Sequence, residues 1–319
     1  MPQARKSVES IKIGELRDAS EVRLQLLYVI GGRPGNSLWI LSGVHGDELN
    51  STKIAIELFK RIDPEQLSGT LVIIPVANPT AFQRFSRFSP VDDLDLNGVY
   101  PGEPGGSLSQ RTAKLILSRA AESATLILDL HSGGMYGDNH PYVIFQDKGP
   151  AADLGRRVAV NFGAEIIIRQ AGGSIEPGSL GNHSADLGIP TVMGELGGGV
   201  RFQPDMVVLG LRGVMNTLIT LGMIEGTVQG PEEQYIYSHR DWVTASRGGI
   251  SSFIVEPGAT IERGQLLGTI ENLGGEIVEE VVTPFGGRLT LLRQFPAVRT
   301  GDWLALIADA QSMAVVRRE

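Results

Sequence analysis

In the stretch SGVHGDELN, residues 42–50, His45 and Glu48 stand three residues apart, directly after the apolar run SLWIL. A second histidine, His131, ends the run ATLILDLH, and a further carboxylate, Glu195, lies near the end of IPTVMGEL. His-x-x-Glu followed much later by a lone histidine is the ligand set of a catalytic zinc site whose fourth position is left to water. His45 and Glu48 can reach one ion where a strand turns sharply into a helix, and Gly43 and Gly46 permit that turn. His131 then completes the triangle from a neighbouring strand. Asp129 shares a strand face with His131 and is suited to orient it from behind. The chain has no cysteine, so any metal must be held by His, Asp and Glu. The run GELGGG invites a phosphate-loop reading but lacks the lysine and the spacing of one. His183, in SLGNHSADLG, suits a pocket wall or a hydrogen-bonded helix surface, and His140 and His239 read as structural or surface residues.

The elements that would carry these groups alternate from about residue 37 to 222. Strand-like runs are SLWILSG (37–43), TLVIIPVAN (70–78), TLILDLH (125–131), YVIFQ (142–146), EIIIR (165–169) and PTVMGEL (190–196). Helix-like segments lie between them: ELNSTKIAIELFKRI, SLSQRTAKLILSRAAES, AADLGRRVAVNF and DMVVLGLRGVMNTLITLG. Unbroken Val/Ile/Leu runs suggest strands buried on both faces. The expected fold is α/β, a parallel or mixed sheet flanked by helices, with a short β-hairpin from the first 30 or so residues at its edge. In such sheets ligands bind beyond the carboxyl ends of the strands. His45, Glu48, His131 and Glu195 all fall at such ends.

Past GTVQGPEEQY the helical period disappears, and residues 236–308 read as short strands divided by Gly and Pro. The expectation is a catalytic domain over 1–230 and a small all-β domain over 231–319, of barrel-sandwich type. Carrier chemistry is excluded for this module, because no lysine follows Lys148. Oligomer contact, shielding of the site mouth and substrate gating remain open, and a homo-oligomer is the partner it suggests. Net charge is −8, from 28 Lys and Arg against 36 Asp and Glu, which argues against nucleic acid or acidic membranes as partners. MPQARKSVES has no apolar h-region and no run approaches membrane length, so the expected location is cytoplasmic.

Taken in order, SGVHGDELNS, NPTAFQRFSRFSPVDDLDLN, DLHSGG and GIPTVMGELGGG resemble the succinylglutamate desuccinylase/aspartoacylase family, relatives of the zinc carboxypeptidases. The resemblance covers about residues 35–225, and the β module is similar to the second domain of bacterial members that include deacetylases of N-acetylated diaminobutyrate. It implies one zinc per chain held by His45, Glu48 and His131, and hydrolysis of the amide of a small N-acyl amino acid. It also implies that Glu195 is the catalytic carboxylate and that Arg87, rather than its neighbour Arg84, polarises the carbonyl and contacts substrate. Asn97 is implied as a substrate-binding residue.

One departure stands out. Where the family carries Asn-Arg, this chain reads Asn97-Gly98, and glycine supplies no charge to hold a substrate carboxylate. Arg111, Arg201 and Arg240 are replacements by residue type alone. The cluster Asp92, Asp93 and Asp95 suits a cationic amine but reads first as a solvated loop. Two alternatives stay open: a carboxypeptidase-like peptide hydrolase, and a non-catalytic metal- or ligand-binding relative.

Overall fold

The apolar runs become the strands of one large mixed sheet in a computed structural model that describes residues 3–317. In chain order they are β1 (Arg5–Glu15), β2 (Glu21–Ile30), β3 (Arg33–Leu41), β4 (Ser68–Ile74), β5 (Leu126–His131), β6 (Gly137–Asn139), β7 (Tyr142–Gln146), β8 (Ile166–Gln170), β9 (Thr191–Glu195) and β10 (Glu233–Tyr237). All but β6 join a ten-stranded sheet ordered β1-β2-β4-β3-β5-β9-β7-β8-β10, closed at the far edge by β19 (Met313–Arg317). The centre, β4, β3, β5 and β9, is parallel, β7 runs antiparallel to β9, and the β1–β2 hairpin forms the expected edge.

Helices α1 (Leu49–Arg61), α2 (Pro79–Arg84), α3 (Leu108–Ser123), α4 (Ala152–Phe162), α5 (Leu180–Asp186) and α6 (Pro204–Thr220) complete this layer. α1, α4 and α6 bury Ile54, Leu58, Val158, Phe162, Leu211 and Val214 against one face of the sheet. α3 and α5 cover the other with Ala113, Ile116, Leu117 and Leu180. Leu58 and Leu126 are fully buried, and truncating such a leucine to alanine costs about 2–5 kcal/mol. α2, α5 and β6 are too short for periodicity to reveal, and none was expected from sequence.

Residues 240–309 form the β module, with β11 (Arg240–Thr244), β12 (Gly249–Phe253), β13 (Thr260–Ile261), β14 (Leu266–Glu271), β15 (Ile277–Val282), β16 (Gly287–Arg293), β17 (Ala297–Val298) and β18 (Trp303–Asp309). They make two antiparallel sheets, β11-β18-β16-β13 and β15-β14-β12-β17, around a core of Val243, Leu267, Ile270, Leu289 and Ile307. The sheets pack as a sandwich without closing into a barrel. Because β10 and β19 belong to the large sheet, the module is held at both of its ends. β6 adds a third tie by pairing with β16, Asn139 opposite Leu291.

Candidate active site

The site is built at the carboxyl ends of β3, β5 and β9. After β3 the backbone enters a left-handed conformation at Gly43, φ 62°, then runs under α2 at Gly46. A Cβ at Gly46 would overlap the Ala81 carbonyl, so only glycine lets the His45 loop pass there. Glu48 is the N-cap residue of α1, yet its side chain makes no cap hydrogen bond. It turns into the protein instead. Glu48 Oε1 lies 2.7 Å from His45 Nδ1 and Oε2 lies 2.9 Å from His131 Nδ1. The Ser132 N–H donates to the same Oε2 at 3.3 Å.

One ligand atom from each of His45, Glu48 and His131 falls within 4.8 Å of the others, and all three residues are buried. Each far ring nitrogen also faces a carboxylate, through a hydrogen bond at His45 and through charge proximity without hydrogen-bond geometry at His131. His45 Nε2 is 3.0 Å from Asp95 Oδ1, and His131 Nε2 is 3.1 Å from Asp129 Oδ1. A carboxylate behind a ring fixes its orientation and raises its basicity, as in metal-ligating histidines. Burial pushes both imidazoles toward the neutral form, but the carboxylates outweigh it: Glu48 and Asp95 hold His45 above its ordinary range, and Asp129 and Glu48 hold His131 well above. Burial likewise pushes the Glu48 carboxyl up, and the two rings override it and hold it below the usual range. The donor set therefore fits a divalent cation. Two nitrogens and a carboxylate already converge, in a field that favours positive charge between them.

Glu195 stands beside this centre. It is the register partner of His131 on β5 and of Tyr142 on β7, so the three residues form a row across adjacent strands. Asn139, brought in by β6, donates from Nδ2 to Glu195 Oε2 at 2.8 Å. Burial drives the Glu195 carboxyl up to about 7, aided by the Glu48 charge and opposed by His131 and Arg240. A carboxylate poised near neutrality can both accept and return a proton. The loops after β5 and β9 lie backbone to backbone beside it: the Gly133 N–H donates to the Gly197 carbonyl at 2.7 Å, and a Cβ at Gly198 would strike Gly137. That close approach at Gly198, with left-handed backbone at Gly197 and Gly199, φ 66° and 75°, accounts for the GGG run without phosphate binding.

Arg87 reaches the mouth of the site with its side chain 45 % exposed. Its Nε and Nη2 lie 3.0 and 2.9 Å from Asp95 Oδ2, and Nη1 lies 3.4 Å from His45 Nδ1. Arg84 stands exposed in the last turn of α2. Asn97 sits in a short 3₁₀ turn, Leu96–Gly98, where its Oδ1 accepts from the Leu180 N–H at 3.4 Å. Gly98 next to it is exposed. Asp92 accepts from the Ser109 N–H and hydroxyl at 2.8 and 2.9 Å at the start of α3. The acidic cluster therefore splits, and only Asp95 joins the centre. His183 lies in α5 and His140 beside Glu165 at 3.4 Å, away from the centre. Of the three arginines weighed against Gly98, Arg111 donates to the Gly106 carbonyl at 2.8 Å and Arg201 is exposed. Arg240 donates to the hydroxyl of Tyr142, the register partner of Glu195, at 3.1 Å, and its charge bears on the Glu195 carboxyl.

Residues 34–221 match the family model of the succinylglutamate desuccinylase/aspartoacylase catalytic domain. The chain belongs to this family. Among curated proteins it is similar to the N-alpha-acetyl-L-2,4-diaminobutyric acid deacetylase of Halomonas elongata, at 29 % identity over 285 residues, 86 % of this chain and 82 % of that protein. The fold matches a succinylglutamate desuccinylase/aspartoacylase structure from Rhodobacter sphaeroides, with TM-score 0.87, 24 % identity and 96 % of each chain covered. The product-bound ectoine utilization protein of Ruegeria pomeroyi matches at TM-score 0.88 and 24 % identity, with 97 % of each chain covered. Both solved structures span the β module as well as the large sheet.

Proposed function

We propose that this family member is a zinc-dependent amidohydrolase that removes the acyl group from a small N-acyl amino acid. The convergence of His45 Nδ1, Glu48 and His131 Nδ1 beside Glu195 carries the reading. Zinc in that position would supply Lewis-acid chemistry, lowering the pKa of water and polarising the scissile carbonyl. His45, Glu48 and His131 would hold it, with Asp95 and Asp129 fixing the two rings. Glu195, ionised, takes the proton from the attacking water and later gives it to the departing nitrogen. Asn139 holds one Glu195 oxygen in place and leaves the other free for that transfer. Arg87 adds positive charge at the mouth, where the carbonyl oxygen becomes anionic, with Asp95 limiting its swing. Asn97, whose backbone N–H donates to Asp95 Oδ1 at 2.9 Å, would be a further substrate contact.

The relative from Halomonas elongata acts on an N-acetylated diamino acid, and that chemistry defines the first class of substrates to try. Among the described residues no helix is long and apolar enough to cross a membrane, and a small-molecule, cytoplasmic setting is part of the proposal. The division into a catalytic part, 1–230, and a module, 231–319, that narrows the entrance belongs to it too. The test is free-amine release from N-acetyl, N-succinyl and N-formyl amino acids, basic side chains included, by the wild type and Glu195→Gln. Chelator-sensitive release of one class is expected, with Glu195→Gln keeping its metal and losing about 10²–10⁴-fold in turnover. Full activity in Glu195→Gln would remove that residue from the mechanism.

A further inference from the structure

We propose that Arg240, delivered by the β module, is the residue that binds the carboxylate of the substrate, in place of the charge that Gly98 lacks. The proposal rests on the deacylase reading and assigns its specificity. Arg240 opens β11 and is half-buried. Its Nη1 donates to the Tyr142 hydroxyl at 3.1 Å, and its guanidinium carbon sits 5.6 Å from the centre of the Tyr142 ring. Tyr142 is buried and is the register partner of Glu195, so the contact fixes the guanidinium on the flank of the Glu195 carboxylate.

Charge compensation separates this arginine from the other one at the site. Arg87 spends two of its nitrogens on Asp95. Arg240 leans on a neutral phenol, and no carboxylate among the described residues pairs with it. A half-buried guanidinium with spare donors and no carboxylate paired directly with it among the described residues is suited to an anionic ligand group, and its planar fork matches a carboxylate.

The position also follows from the connectivity of the substrate. In an N-acyl α-amino acid one carbon separates the departing nitrogen from the carboxylate. Since Glu195 returns the proton to that nitrogen, the anion must fall on the Glu195 flank of the site. Arg240 occupies that flank. Arg87, tied to His45 and Asp95, serves the acyl side. The module is thus more than a cover: β11 brings to the leaving-group side a cation that no carboxylate among the described residues pairs with directly.

The experiment compares the best substrate of the amino-acid panel with its carboxamide, which lacks the anion, in wild type, Arg240→Ala and Arg240→Lys. A charge-assisted bidentate contact corresponds to about 10- to 100-fold in kcat/KM. Arg240→Ala should lose that much more on the free acid than on the carboxamide, mainly through KM, so the preference for the acid collapses; any loss from the changed charge beside Glu195 falls on both substrates alike. Arg240→Lys, which keeps charge without the fork, should fall between, and it decides the matter if the alanine variant does not fold. Equal losses on acid and carboxamide in the folded variants would overturn the assignment and leave the deacylase reading intact. Absence of hydrolysis of every panel member by zinc-loaded wild type would overturn the deacylase reading itself, and this assignment with it.

Discussion

The two histidines of the centre share one glutamate but stand in unlike surroundings. His131 is the last residue of a central strand, and both it and Asp129 behind it are fully enclosed. His45 lies on a loop, and the carboxylate behind it, Asp95, is 22 % exposed and also grips Arg87. One arm is therefore a fixed wall. The other links His45, a proposed metal ligand, to the arginine at the mouth, so that in the proposed mechanism substrate handling and metal binding meet at a single carboxylate.

The largest effects should come from removing either ring. His45→Ala and His131→Ala are both expected to lose zinc and turnover together, because each leaves two ligand atoms of three. Metal analysis after dialysis checks this, and full zinc retention in either variant would break the assignment of that ligand.

Neutralising the carboxylates behind the rings sharpens the contrast. Asp129→Asn and Asp95→Asn should each weaken zinc affinity about 10- to 100-fold, the usual range for such partners. At saturating zinc they should part company. Asp129→Asn should recover most of its kcat, whereas Asp95→Asn should stay impaired, since Arg87 has lost its anchor. Identical recovery in both would mean that the Arg87 link has no catalytic weight.

A smaller effect concerns pH. Glu195 must be ionised to accept a proton, and burial keeps it protonated up to about 7. Activity should therefore fall as pH drops through that region and level off above it. A bound divalent cation draws the same carboxyl lower, so the limb should lie at or below 7 in the zinc-loaded enzyme. Initial rates from pH 5 to 9 give the limb, and the residual activity of Glu195→Gln should lack it.

Much of this centre is legible in the sequence because its three proposed ligands sit at the ends of long apolar runs, where glycine marks the turn. Those runs are recognised by composition, and they became β3, β5 and β9 with shifts of a few residues. The other contributors are hidden for a physical reason. Asp95 lies in an acidic loop that looks solvated, and only the folded chain shows it behind His45. Asn139 reaches Glu195 across 56 residues, and Arg240 reaches Tyr142 across 98. Their positions depend on how the β module docks through β6 and β16, and no local period encodes that. Gly98 could be seen to lack a charge, but which arginine supplies one is a matter of tertiary contact.

The most direct test of the central claim is a zinc titration of metal-free protein, followed by free-amine release from its N-acyl amino acid substrate. Activity is predicted to rise from background and reach its plateau at one zinc per chain. Equal release from the chelated and the zinc-loaded protein would contradict the account, as would stoichiometric zinc binding with no release from any N-acyl amino acid.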